Sequence, residues 1–148
     1  MQPRTSRRCK YCNRLDVDYE IRVEPGEITA KAFHDGRPIG HVTLHAASPE
    51  GLTDDCKMDY DFARRSLPEG KLYVVYFSRV NEDYRGEGIG TELYIRAVKA
   101  TTPDNGVVVP GACHEDFRST SHSAQRVWES STFQSEIKTL NYLAWYGL

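Results

Sequence analysis

Between residues 16 and 46 apolar and polar positions alternate. Tyr19, Ile21 and Val23 are separated by charged residues, an apolar-rich run follows over residues 28–33, and Val42, Leu44 and Ala46 share one face of a run beginning at Ile39. Period-two patterning predicts half-buried strands. Pro25-Gly26 and Asp35-Gly36 separate the three runs and supply reversal chemistry, the second being a strong two-residue hairpin signal. Three antiparallel strands therefore open the domain. Residues 47–70 fit two readings: Thr53-Asp54-Asp55 resembles a helix cap, while Cys56, Met58, Tyr60 and Phe62 alternate as in a strand. After Pro68-Glu69-Gly70, the continuous apolar and β-branched run at residues 72–77 predicts a central strand buried on both faces and reaching about Val80.

The period then changes. Ile89, Leu93, Tyr94, Ala97 and Val98 recur at helical spacing, and Thr101-Thr102-Pro103 stops that helix. Residues 107–109, all valine, predict another central strand. Ser119-Thr120-Ser121 caps a second helix with an apolar stripe of Ala124, Val127, Trp128 and Ser131, and residues 137–148 read as one or two closing strands. The order β-β-β, an ambiguous segment, then β-α-β-α-β places the chain in the α+β or mixed α/β class, as a mixed sheet with helices on its faces.

Size and charge narrow the functions. A chain of 148 residues fits one domain, and 19 Lys+Arg against 21 Asp+Glu leave a formal charge of −2. That balance argues against nucleic acid as a partner, because phosphate neutralisation needs a basic surplus. No apolar stretch approaches the roughly 18 residues of a membrane span, and the polar N-terminal stretch lacks a signal-peptide core, so no membrane association and a cytoplasmic location are expected. Residues 1–14 are basic and poor in apolar side chains; an arm over residues 1–15 and a folded unit over 16–148 follow. Cys9, Cys12, Cys56 and Cys113 are then expected as free thiols or metal ligands ahead of disulfides. Cys9 and Cys12 form half of a zinc knuckle whose other half is missing, so no metal is assigned.

The chemistry concentrates at Arg85-Gly86-Glu87-Gly88-Ile89-Gly90-Thr91, between a buried strand and a helix. Glycines admit a ligand to the backbone, and the first helical amides with the helix dipole favour an anion. A Cβ at position 88 or 90 is expected to intrude on such an anion. The Gly-Lys-Ser/Thr ending of a nucleotide P-loop is absent, and Arg85 occupies the first glycine of a dinucleotide fingerprint.

This R-x-x-G-x-G pattern resembles that of the GNAT superfamily of acetyl-CoA-dependent N-acetyltransferases. Ala124, Val127 and Phe133 fit a second family block, whereas Trp128 stands where many members carry the tyrosine that protonates the leaving thiolate. The resemblance implies a mostly antiparallel central sheet. It implies acetyl-CoA as cosubstrate, its pyrophosphate held by Arg85, Gly86, Glu87, Gly88, Ile89, Gly90 and Thr91, its pantetheine arm paired along Ser78, Arg79 and Val80, with Ser121 contributing from the last helix. An amine of a protein or small molecule would be the acceptor. The usual two helices between the first two strands are missing here, as in a reduced member.

Transfer to an amine needs a base. His114 and Glu115, after the second central strand, and Tyr76, with Tyr73, on the first, are the candidates. His41 and His45 share a strand face with Thr43, where surface pairing is the first reading and catalysis the second. The alternative to an enzyme is a coenzyme-binding module without turnover that docks a partner through its basic arm.

Overall fold

The computed structural model describes residues 5–8, 16–64, 71–115, 117 and 122–138. Among these residues six strands form one sheet in sequence order: β1 Thr5–Arg8, β2 Asp16–Glu24, β3 Glu27–His34, β4 Arg37–Ala46, β5 Leu72–Val80 and β6 Val107–Val109. Every neighbouring pair is antiparallel except β5–β6, which is parallel. This is the mixed, mostly antiparallel sheet expected. The turns behave as their residues dictate: Asp35 and Gly36 both take positive φ (51° and 77°), as a right-twisted two-residue hairpin demands. Thr5–Arg8, within the stretch read as an arm, adds an edge strand opposite Asp16–Tyr19.

Helix α1, Asp54–Arg64, resolves the ambiguous segment. Cys56 and Tyr60, one helical turn apart, are buried, whereas Met58 between them is 73% exposed, so the helical period wins over the alternating one. Helix α2, Ile89–Lys99, follows β5, and where one further helix was expected two short ones occur, α3 His122–Glu129 and α4 Ser131–Lys138. Ser130 causes the break. Its hydroxyl donates to the Val127 carbonyl at 2.8 Å and accepts from the Phe133 amide at 3.1 Å, capping the new helix. Ile137 and Lys138 end α4 instead of beginning a strand, and residues 139–148 lie outside the described residues.

The helices cover the sheet unequally. On one face Val17, Ile28, Val42, Leu44 and Val75 pack with Leu93 of α2, Trp128 of α3 and Phe133 of α4. On the other, a smaller core under α1 joins Cys56 and Tyr60 to Leu72, Val74, Val107 and Val109. The opening half of β5 is thus buried on both faces, as its unbroken apolar run requires. Its closing half is not: Tyr76 and Phe77 are 57% and 48% exposed. Among the described residues β6 is an edge strand and not a central one.

Cys56 and Cys113 form a disulfide, Cα to Cα 5.7 Å, which corrects the expectation of free thiols there. The two lie 57 positions apart and meet only because α1 and the turn after β6 share the smaller core. Cys9 and Cys12 lie outside the described residues. No helix among the described residues is long and apolar enough to cross a membrane.

Candidate functional site

The glycine-rich loop builds a groove beside β5. Past Val80 the chain makes a short turn at Glu82–Tyr84 and enters α2 through Gly86 and Gly88, both at positive φ (84° and 81°). Gly88 is the N-cap and has no side chain to satisfy the first turn; the first bond of the helix runs from the Glu92 amide to the Gly88 carbonyl at 3.1 Å. The amides of Ile89, Gly90 and Thr91 precede that bond. Their direction and the helix dipole make this end electropositive. Gly90 itself is not at positive φ, and a Cβ there would meet Val80 Cγ2 at 3.6 Å and Val127 Cγ2 at 4.0 Å, ordinary contacts. The conformational demand for glycine therefore falls on positions 86 and 88.

The groove has a volume of about 640 Å³. Of the residues singled out in the sequence, residues 78–80, Arg85, Gly86 and residues 88–91 line it; Glu87 does not, and Ser121 lies outside the described residues. Arg126 of α3 also lines it, giving three guanidinium groups with Arg79 and Arg85. Nothing in the sequence around Arg126 marked it, because only the docking of α3 onto α2 brings it there. Arg85 is itself anchored, its Nε donating to the Val80 carbonyl at 3.1 Å. From the β3–β4 hairpin, His34 Nδ1 lies 2.9 Å from the Tyr84 hydroxyl and buttresses the loop.

Tyr94 supplies another wall. Its hydroxyl donates to Ser78 Oγ at 2.9 Å, and burial pushes the phenol up to about 12, the Ser78 hydroxyl pulling the other way. Trp128, 1% exposed, packs edge-on against Tyr94 and Phe133, and its Nε1 has no hydrogen-bond partner among the described residues. It is a packing residue.

β5 forks from β6 beside this groove. The parallel pairing covers Leu72, Tyr73 and Val74 opposite Val107, Val108 and Val109, while β5 continues six residues further to Val80. On its other edge β5 stays paired with β4, with a register shift that leaves Tyr76 as an extra residue between Val75, opposite Leu44, and Phe77, opposite Thr43. A bulge turns two consecutive side chains toward one face. Tyr76 stacks on His45 (centroids 4.3 Å, planes 13° apart) and Phe77 on His41 (5.0 Å, 15°), on the face away from α2.

The nominated bases fall in different settings. Tyr76 is exposed on that open face. His114 is buried, 2% exposed; its Nε2 donates to the Ser48 carbonyl at 2.9 Å, and its ring occupies the space that a Cβ on Gly51 would need. His114 thus holds the turn before α1. Glu115 is exposed, its amide donating to the Gly51 carbonyl at 2.8 Å. Phe117 stands between His114 and Tyr76, edge-on to both at 5.3 and 5.7 Å. Tyr73 is buried and donates to Asp104 at 2.7 Å; burial, then Asp104, pushes it up to about 12. Burial, then the charges of Lys31 and Arg79, lowers His41. His45, weighed first as surface pairing, has its Nε2 3.2 Å from Glu27 Oε2. Among the described residues no group of three or more His, Cys, Asp or Glu side chains is arranged to hold a metal.

The groove thus joins a strand that forks from its neighbour, a glycine-capped helix start and arginines at the rim. The chain belongs to the acetyltransferase (GNAT) family, whose model matches residues 2–129. No curated protein sequence matches the chain significantly. Among solved structures it is similar to an aminoglycoside acetyltransferase from an uncultured soil metagenomic sample in complex with sisomicin (15% identity, 57% of this chain and 47% of that one, TM-score 0.40). It is similar also to a ribosomal-protein-alanine N-acetyltransferase from Brucella melitensis biovar Abortus 2308 (18%, 64% and 60%, 0.39) and to a Trypanosoma brucei acetyltransferase (16%, 70% and 59%, 0.46). The chain spans about half to three-fifths of the length of these structures.

Proposed function

We propose that the chain moves the acetyl group of acetyl-CoA to a primary amine on a protein or small molecule. The observation that carries this reading is the juxtaposition of two backbone arrays without partners among the described residues: the first amides of α2, behind a glycine N-cap, and the edge of β5 past its fork from β6. The first suits a pyrophosphate, with Arg85 and Arg126 adding charge. The second suits an amide-bearing arm, which would complete the ladder along residues 78–80 as a short strand. The groove is continuous over both, since the same cavity is lined by Ser78 at one end and Thr91 at the other. The residues present therefore fit the coenzyme.

Where Trp128 offers no acidic proton, the Tyr94–Ser78 pair places a hydroxyl in the groove wall, and Tyr94 keeps its proton throughout the neutral range. Trp128 also supports the second reading, a coenzyme-binding module without turnover, with residues 1–15 acting as a basic docking arm beside the unit 16–148. The proposed setting is the cytoplasm, where the Cys56–Cys113 pair would face a reducing thiol pool. Calorimetric titration with acetyl-CoA and mass spectrometry of an amine panel incubated with labelled acetyl-CoA test both readings. One-to-one binding with labelled products supports the enzyme, binding without any product supports the module, and no heat and no thermal shift overturns both.

A further inference from the structure

We propose that His45, oriented by Glu27, is the base that takes the acceptor's proton, and that the acceptor arrives on the sheet face opposite α2, across Tyr76. The proposal rests on the acetyltransferase reading above and assigns it a residue and a direction of approach.

Position comes first. His45 is in register with Val74 of β5, and Val74, opposite Val109, is the last β5 residue paired with β6. The imidazole therefore stands at the level where the two strands part, which is where an acyl group laid along the free edge of β5 would meet the opposite face. His34, His41 and His114 do not share this place. His34 is engaged with Tyr84 at the far hairpin, and His114 is buried on the Ser48 carbonyl. His41 is opposite Arg79, near the end of β5, between two cations, Lys31 and Arg79, that repel an ammonium group.

Chemistry comes second. Glu27 lies directly across from His45 on β3, with Oε2 3.2 Å from Nε2. A carboxylate can only accept, so in the proposed arrangement the ring proton sits on Nε2 toward Glu27 and the lone pair on Nδ1 faces the acceptor. Tyr76 fixes the ring plane from β5 by stacking, and Phe117 stands edge-on to the ring at 6.4 Å. Among the described groups packed on His45, Glu27 and the Tyr76 phenol are the titratable ones, with His114 on the far side of Phe117. The exposed face of Tyr76 and the Glu27 charge suit a cationic amine on an apolar stem.

The proton count closes. The ammonium gives one proton to His45 Nδ1, and the freed nitrogen lone pair attacks the thioester carbonyl carbon. The nitrogen's second proton leaves as the carbon–sulfur bond breaks and neutralises the departing thiolate, directly or through water. His45 returns its proton to solvent. The products are the N-acetyl amine, the free thiol and one proton.

The test compares the parent chain with His45→Gln and Glu27→Gln, following thiol release from acetyl-CoA with two probes: n-butylamine, an ammonium at neutral pH, and trifluoroethylamine, which is already neutral there. With n-butylamine His45→Gln is expected to lower kcat by ~10²–10⁴-fold, with acetyl-CoA affinity and melting temperature unchanged, and the deficit shrinks as pH rises and the amine deprotonates itself. With trifluoroethylamine the same variant stays within a few-fold of the parent. Glu27→Gln lowers kcat less, because the ring stays in place but has lost the carboxylate that orients it. Turnover of n-butylamine by His45→Gln within twofold of the parent overturns the proposal, as does an equal loss with both amines. Should the parent itself neither bind acetyl-CoA nor acetylate any amine, the acetyltransferase reading falls first and takes this proposal with it.

Discussion

The left-handed backbone at Gly88 allows a measurement that separates loop geometry from packing. Gly88 holds φ near 81° as the N-cap of α2, and an L-residue there pays about 1–2 kcal/mol for the contact between its Cβ and the carbonyl oxygen. Gly88→Ala can carry that strain in the folded loop, or release it by turning the amides of Ile89, Gly90 and Thr91 away from the groove. In the first case the melting temperature falls, by ~2–4 °C per kcal/mol for a chain of this size. In the second, coenzyme affinity falls by roughly 5- to 30-fold, the same energy expressed in a dissociation constant. Gly90→Ala is the control: its methyl meets Val80 and Val127 at ordinary contact distances and needs no unusual φ. Calorimetric titration with CoA and a thermal melt on both variants give the two numbers. Gly88→Asn, which tolerates the left-handed region better, should fall between Gly88→Ala and the parent. If Gly88→Ala matches the parent in both measurements, or Gly90→Ala is the more damaged, the loop is not held as argued here.

Three further outcomes follow from the packing and the titrating groups. Gly51→Ala should cost ~1–3 kcal/mol by overpacking the His114 ring, and the double variant with His114→Ala should be no less stable than His114→Ala alone, a coupling that chemical denaturation can read. Tyr73 and Tyr94 are both pushed up to about 12 against an unfolded value near 10. Below pH 10 both states keep these protons and stability is unaffected, whereas between 10 and 12 the unfolded chain ionises first, so stability falls with rising pH and Tyr94→Phe should flatten that fall in pH-dependent melts. Reducing the Cys56–Cys113 bond, which closes a separation of 57 residues, should lower stability by up to about 4 kcal/mol on the chain-entropy account, seen as a lower denaturation midpoint with reductant than without.

Local periodicity made the sheet legible where the pairing is local. The β2–β3–β4 meander, its Asp35-Gly36 turn and the helix after the glycine loop all follow from spacing and turn chemistry, since each depends on residues near in sequence. Residues 56–62 did not yield to the same logic: the alternation of Cys56, Met58, Tyr60 and Phe62 is compatible with either period until a core selects Cys56 and Tyr60. The disulfide was illegible for a related reason, because a pair 57 positions apart leaves no spacing to read. In the site, the loop's backbone function could be read from its glycines, but the roles of the ionisable side chains could not. His114 looked like part of a polar loop, and only the missing side chain at Gly51, remote in sequence, lets it sink into the interior. His45 looked like surface pairing, and its place at the strand fork depends on the registers of two separate ladders.

The strand order also bears on how the chain reaches its native state. From β1 to β5 each strand pairs with the one before it in sequence, and the one parallel join among the described residues, β5 with β6, must wait for α2 to cross over the sheet. Short-range pairings close quickly and long ones slowly, so the meander is expected to form early and the last three ladder positions late. The fork that frames the groove is then the final part of the sheet to assemble. Hydrogen exchange during refolding would see protection rise first in β3 and β4 and last at residues 107–109, with Cys113 brought within reach of Cys56 only once that strand has docked.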